Sequence, residues 1–551
     1  MNTIFHIFAR RTRMRWAVVL IVCAMALGAR FMTIARAHNV ARDSAVYLYM
    51  GKHLTDQPWR QIVGKYDYHP MYPAIVAFWA HITQATWPDG WVTLAQVVSA
   101  CMSMVGLVSL YYIANRIFGR HVALWTLMIA GLSRPLTGLA SDALSDWTAL
   151  SFSLLAIACA MACAKRLINA SWAALPLAGV CAIATAGGYL TRPEHLLAGA
   201  IAMTLILIQD TSTKEGLTMK AGALVIFLTI TSACIAPYID AIGTLSQKKS
   251  LDDFVLADTP APLTNDMPLV TTTAGQTPGA QIDGPRFGRV IWRLLDRSLD
   301  GIGIPASLFM ITSWGIWLAL GLGAKKLKRF CPRPRTQGLV VMIMAPAVMV
   351  PVLAALENKL GPGYVSSRHS LMAMLLLMPC AGAGLEMLVR LAGRLGAGNY
   401  LRQVAKTRLG ALVVISIAMF VGGVPCLHRG RDSYRHVGKM LRGQGAILCD
   451  DARIALYASA PAEQFIRNSP IWWRLNPQDM SSDQALLGRI RGTNSKTFAV
   501  VAFSQELLRH LPEDPVNVPL LAGLEPIDLP NFRTRVYAYK APDGTQQPAP
   551  D

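Results

Sequence analysis

Seven side chains have types and positions that could do chemistry: Asp43, His69, Tyr72, Asp142, Asp146, Arg192 and Arg368. A carboxylate such as Asp43 can relieve a hydroxyl of its proton if it is held beside the reacting atom. Arginine presents a planar fork of donors that suits a phosphate, so Arg192 and Arg368 are candidates for an anionic group. Asp43 follows Arg42 near the front of a polar stretch that closes on His69-Pro70-Met71-Tyr72-Pro73. Asp67, Tyr68 and Tyr72 surround His69 there and could stack on, or hydrogen-bond to, a sugar ring.

The elements that must position these groups are apolar. The chain has 551 residues, of which 53% are hydrophobic and 15% charged, and its mean hydropathy is +0.37. That is too apolar and too charge-poor for an ordinary soluble protein, so an integral membrane protein is expected. The run from Trp16 to Ala35 is about one span long and lacks a small-x-small cleavage site, so it reads as a retained anchor. Arg10, Arg11, Arg13 and Arg15 precede it and hold its front end in the cytoplasm.

The formal net charge of +20 raises a nucleic-acid partner, and its distribution argues against one. The cations gather in short loops between apolar runs, at Arg116 and Arg120, Lys165 and Arg166, Lys325 to Arg335, and Arg390 to Arg408. Such basic loops orient helices. Runs long enough to span, or nearly so, lie at about 15–35, 93–115, 122–140, 143–164, 172–190, 195–209, 220–239, 302–323, 337–356, 370–390 and 409–427. The run at 72–85 is read as interfacial or re-entrant, because a crossing there would move the later basic loops to the side of Asp43. About eleven spans result, with the N-terminus inside and the C-terminus outside.

This topology gathers the remaining polar groups on the outer side: Asp43, His69, Asp142, Asp146, Arg192, Glu194, the loop 240–301 and the stretch from Glu357 to His369. Ionisable groups at the mouths of spans are costly unless they face a wet cavity or a partner. Within the long loop, Phe287, Val290, Ile291, Leu294 and Leu295 share one helical face, and the loop reads as a flexible lid followed by an amphipathic surface helix that either rests on anionic lipid or serves the substrate. After about residue 428 the chain reads as a small extracytoplasmic α/β domain, 429–551, with strands at 445–449, 497–503 and 533–540 and a disordered tail. The ten cysteines lack metal-like spacing, and a Cys426–Cys449 disulfide is one alternative to two unpaired thiols.

Each candidate also has a plain structural alternative. Asp43 would cap a helix from Ser44 to Leu54. Asp142 and Asp146, at i and i+4, would share one helical face, where they could hold a divalent cation or a sugar hydroxyl. Arg368 opens a late apolar helix on the side that disfavours positive charge, so either an anionic ligand or Glu357 would account for it. His69 could merely fix a turn beside Pro70.

In their order and common sidedness, Asp43, the His69-Pro70-Met71-Tyr72-Pro73 element, Ser141-Asp142-Ala143-Leu144-Ser145-Asp146, Tyr189-Leu190-Thr191-Arg192-Pro193-Glu194 and Tyr364-Val365-Ser366-Ser367-Arg368-His369 resemble the GT-C superfamily. More closely, the chain is similar to bacterial protein O-mannosyltransferases and lipid A aminoarabinose transferases. The resemblance implies a polytopic α-helical fold and an inverting glycosyltransferase, hexosyl- or pentosyl-transferring. Its donor would be a polyprenyl-phosphate sugar and its acceptor a glycan, lipid or protein at the periplasmic face of the bacterial inner membrane. Asp43 matches the acidic residue of the first loop and would be the base; Arg368 and Arg192 would bind phosphate, with His69, Tyr72, Asp142 and Asp146 toward the substrate. Many relatives carry a second acid beside the first, whereas Ser44 stands there in this chain.

A multi-span transporter or lipid flippase is the alternative reading. The chain shows no repeated halves and no matching pair of broken spans, and its ionisable groups gather at one face rather than at mid-membrane. No P-loop or dinucleotide-binding glycine pattern points to a nucleotide-sugar donor.

Overall fold

The computed structural model describes residues 2–246 apart from 38, 67 and 212, and then stretches within 337–344, 371–395, 408–427, 432–442, 447–459, 500–503, 524–527 and 535–539. Its elements, in chain order, begin with α1 (Asn2–Ala35), α2 (Arg42–Asp56), α3 (Trp59–Lys65), α4 (Met71–Thr83) and α5 (Asp89–Phe118). They continue with α6 (Arg120–Leu132), α7 (Arg134–Ser141), α8 (Asp146–Ile168), α9 (Ala174–Thr191), α10 (Leu196–Leu207) and α11 (Lys214–Ile242). Further along lie α12 (Leu371–Leu395), α13 (Arg408–Gly423), α14 (Asp432–Met440) and α15 (Ala452–Ala458).

Five of the described helices are long and apolar enough to cross a membrane: the Trp16–Ala35 part of α1, α5, α8, α9 and α11. The window of α8 is 78% buried and that of α11 only 22%, so α8 is the centre of the bundle and α11 lies at its rim. Around α8 pack α5, α9 and α10, while α12 lies against α6. α4 is an apolar helix of 13 residues, short of the ~20 that a span needs; it packs on α2 and α5. The expected spans at 302–323 and 337–356 lie wholly or largely outside the described residues, as do the amphipathic helix at 286–297 and the basic cluster from Lys325 to Arg335.

The run at 122–140 is not one straight span. It breaks into α6 and α7, bent by 59°. Pro135, at the start of α7, has no N–H to donate back to the Gly131 carbonyl one turn earlier. Arg30 of α1 supplies that donor: its Nη1 lies 2.8 Å from Gly131 O and 2.8 Å from Ala26 O. Its Nε donates to Ser103 Oγ on α5 at 2.7 Å, and the guanidinium sits 5.8 Å from the centre of the Trp147 ring. Nε and Nη1 of this fully buried cation thus find acceptors beside an aromatic face, while Nη2 has no hydrogen-bond partner among the described residues, and the side chain joins α1, α5, α6 and α8 at the bend.

Past the last span, four strands form one mixed sheet: β1 (Ile447–Cys449), β2 (Val500–Phe503), β3 (Leu524–Ile527) and β4 (Arg535–Tyr539), in the order β1-β2-β4-β3. β1 runs parallel to β2, and β4 lies antiparallel to both β2 and β3. Three of the strands fall within the stretches read from the sequence; β3, whose Leu-Glu-Pro-Ile carries a proline, was not read as one. Cys426 has no disulfide partner, and its thiol faces the Arg36 carbonyl at 3.4 Å.

Candidate active site

Asp43 and the acidic and basic groups around it meet where four connections converge. α2 begins at Arg42 with Ala41 as its N-cap, and no side chain caps it. Asp43 therefore lies within the first turn rather than capping a helix that starts at Ser44. The position still favours a carboxylate, because the positive end of the helix dipole lies there. Asp43 is half-buried.

One turn further along α2, Tyr47 is the hub that the sequence reading missed. Its ring meets Tyr68 edge-on at 4.9 Å and Tyr72 at 5.5 Å, which ties α2 to the His-Pro element. Its hydroxyl accepts a hydrogen bond from Ser145 Oγ at 2.9 Å. Ser145 in turn accepts from Arg192 Nε at 3.2 Å. The i, i+4 spacing of Asp43 and Tyr47 was the available signal.

Arg192 follows α9, its backbone extended, and is 8% exposed. Its Nη2 lies 3.0 Å from Asp146 Oδ1 and its Nη1 3.3 Å from Glu194 Oε1. Burial works against the guanidinium charge, but the attraction of Asp146 and then of Tyr47, Glu194 and Asp43 outweighs it and raises the pKa above the ordinary value. Burial is also the main reason that the Tyr47 hydroxyl is pushed up to about 12; Arg192 pulls it down and Asp43 pushes it up. Asp43, Tyr47 and Arg192 therefore form one electrostatic unit.

Asp142 and Asp146 do not share a helical face. α8 starts only at Asp146, while Asp142 ends α7 in extended backbone. Asp142 Oδ1 accepts from the backbone N–H of Ala41 at 3.1 Å and of Ala143 at 2.9 Å. Asp142 thus pins the loop that leads into Asp43, whereas Asp146 neutralises Arg192. One oxygen of each acid is thus engaged, Asp142 Oδ1 by amide donors and Asp146 Oδ1 by the Arg192 guanidinium. Among the described residues, no group of three or more His, Cys, Asp or Glu side chains is placed to hold a metal.

His69 and Tyr72 are both buried, and each holds neighbouring elements together. The Tyr72 hydroxyl donates to Ala95 O and meets Ser99 Oγ, both at 3.1 Å, and Ser99 donates to Leu144 O at 3.0 Å. Tyr72 therefore locks α4 to α5 and to the loop before α8. His69 Nε2 lies 3.2 Å from Ser246 Oγ, and its ring meets Tyr238 at 4.9 Å and Tyr189 at 5.6 Å. It forms a neighbouring aromatic cluster at the C-terminal ends of α9 and α11. Arg368, His369 and Glu357 lie outside the described residues, as does Asp67.

The segment after the last span reaches the same place. α15 packs on α2, and buried Arg453 stacks on Tyr434 at 4.4 Å while its Nη1 lies 3.4 Å from Val40 O.

No family model matches this chain, and no curated protein matches it by sequence. Solved structures do. The chain is similar to ArnT from Cupriavidus metallidurans, in the apo state and bound to undecaprenyl phosphate, each with a TM-score of 0.59 and 15% identity over 95% of this chain and 98% of that one. A further match is to the archaeal oligosaccharyltransferase AglB from Archaeoglobus fulgidus, with a TM-score of 0.49 and 11% identity over 78% of this chain and 58% of that one. The chain shares its overall fold with ArnT.

Proposed function

We propose that this GT-C-fold membrane protein transfers a sugar, hexose or pentose, from a polyprenyl-phosphate donor to an acceptor, with inversion, at the membrane face that carries Asp43. The observation that carries the reading is the coupling of Asp43 to Tyr47 and Arg192 in a half-buried position at the mouth of the bundle. The fold shared with ArnT, which has been solved bound to undecaprenyl phosphate, supports the lipid-linked donor.

In this reading the acceptor hydroxyl gives its proton to the Asp43 carboxylate as its oxygen attacks the anomeric carbon from the face opposite the phosphate. The bond from that carbon to the phosphate oxygen breaks, and polyprenyl phosphate leaves with the electron pair. Arg192 is a positioning residue here: three of its nitrogens already serve Ser145, Glu194 and Asp146. It fixes the ends of the loops around Asp43 and balances the acids. The cation for the leaving phosphate falls to Arg368. The acceptor is a glycan, lipid or protein group, the active face is periplasmic, and the membrane is the bacterial inner membrane.

The test uses purified full-length protein and a panel of radiolabelled polyprenyl-phosphate sugars. Asp43→Asn is expected to keep donor binding and lose transfer, and Arg368→Ala to lose donor binding. Full transfer activity in Asp43→Asn would overturn the assignment, and a wild type that binds no donor of this class would favour a transporter.

A further inference from the structure

Away from Asp43, the end of the bundle that carries it has a second charged constellation that the transfer reaction does not use. Asp89 opens α5, and three cations from the segment after the last span surround its carboxylate. Arg435 Nη2 lies 3.1 Å and Lys439 Nζ 3.6 Å from Oδ1, and Arg442 Nη2 lies 3.4 Å from Oδ2. Arg435 and Lys439 sit one turn apart on α14, whose apolar side, with Val437 buried, packs on α15. One carboxylate cannot neutralise three cations. Among the described residues the cluster keeps an excess of two positive charges, and the N-terminus of α5 adds its own positive dipole end.

The place where that excess sits identifies what would balance it. Asp89 is the first residue of a membrane-crossing helix, so the cluster lies at the level where apolar surface gives way to water. The five residues 84–88 join it to the end of α4, whose Phe78, Trp79 and Ile82 are 59%, 45% and 53% exposed. Trp87, within that connection, packs edge-on against Trp91. Exposed apolar and tryptophan side chains next to a cationic surface are what a lipid interface favours on its two sides, the acyl boundary and the headgroup. The cations are 39 to 45% exposed and so remain open to an outside ligand.

We propose that Arg435, Lys439 and Arg442 form a docking surface for the phosphate headgroup of an anionic phospholipid. Asp89 holds the three cations in place, and the lipid takes up the charge that Asp89 leaves over. The lipid thereby fastens α14 and α15, and through α15 the helix α2, to the membrane surface.

The experiment titrates purified full-length protein in neutral detergent with short-chain phosphatidylglycerol, phosphatidylcholine or inorganic phosphate, and follows the melting temperature as the readout of binding. Wild type is expected to be stabilised by phosphatidylglycerol and by neither of the others at equal concentration. The triple variant R435Q/K439Q/R442Q is expected to bind phosphatidylglycerol more weakly by a factor on the order of 30 to 100. Asp89→Asn separates docking from a simple ion-pair staple: it removes the competing carboxylate and is expected to bind phosphatidylglycerol more tightly. The proposal is overturned if wild type does not respond to phosphatidylglycerol, or if inorganic phosphate stabilises it equally. It is also overturned if the triple variant keeps the wild-type response, or if Asp89→Asn binds no more tightly than wild type.

Discussion

Arg192 Nη2 and Asp146 Oδ1 lie 3.0 Å apart with both side chains buried, so the end of α9 and the start of α8 are joined by an ion pair shielded from water. Removing one partner of such a pair strands the other charge. Arg192→Met should therefore cost about 3–5 kcal/mol of stability. Asp146→Asn should cost less, about 1–3 kcal/mol, because Glu194 and Ser145 still face the guanidinium. Thermal melts of the purified variants check the order; equal losses would mean that Glu194 and Ser145 do not share the load.

Tyr47 gives a test of the same network with little change in packing. Tyr47→Phe keeps the ring contacts with Tyr68 and Tyr72 and removes only the hydroxyl that Ser145 bonds. The stability loss should be about 1 kcal/mol, whereas transfer should fall by at least tenfold if the hydroxyl keeps Arg192 and Asp43 in register, on the general scale of misplacement costs.

The same tyrosine gives a pH signature. Its hydroxyl titrates near 12 in the folded protein, above the usual 10. Between those values the folded state holds a proton that the unfolded state has lost, so stability falls as pH rises through the window. Below pH 10 the contribution is fully present. Melting temperatures of wild type and Tyr47→Phe between pH 9 and 12 should converge at the alkaline end, the variant showing the shallower decline; parallel curves would count against the assignment.

Arg30 makes the break between α6 and α7 testable. Arg30→Met leaves the Gly131 carbonyl without its donor beside Pro135. The expected cost is about 1–3 kcal/mol for a buried acceptor left unmade. Arg30→Lys should recover part of it, since an ammonium can reach one carbonyl but cannot span Gly131, Ala26 and Ser103 together. A variant as stable as wild type would show that water or a backbone shift satisfies the carbonyl.

His69→Ala should loosen the C-terminal ends of α9 and α11, which the ring joins through Tyr189, Tyr238 and Ser246. Hydrogen exchange at 240–246 should accelerate while the α2 amides around Tyr47 stay protected; equal acceleration at both would merge the two clusters into one.

The sequence by itself determined the membrane character, the apolar runs that became α1, α5, α8, α9 and α11, and the gathering of polar groups at one end of the bundle. These follow from hydropathy over a helix length and from the placing of arginine and lysine, which are properties of single stretches of chain. It also made Asp43 and Arg192 visible as unusual charges. What it could not decide were partnerships between distant stretches. Asp142 and Asp146 have the spacing of a shared helix face, yet the chain turns between them, because Asp142 satisfies the amides of Ala41 and Ala143 and ends α7. Tyr47 looked like one tyrosine among fifteen and became the hub only when Ser145, from 98 residues further along, met its hydroxyl. Nothing in the sequence around Arg30 points to the Gly131 carbonyl that Pro135 leaves without a donor. Each of these depends on a donor finding its acceptor across the bundle, and only the packed tertiary structure sets that distance.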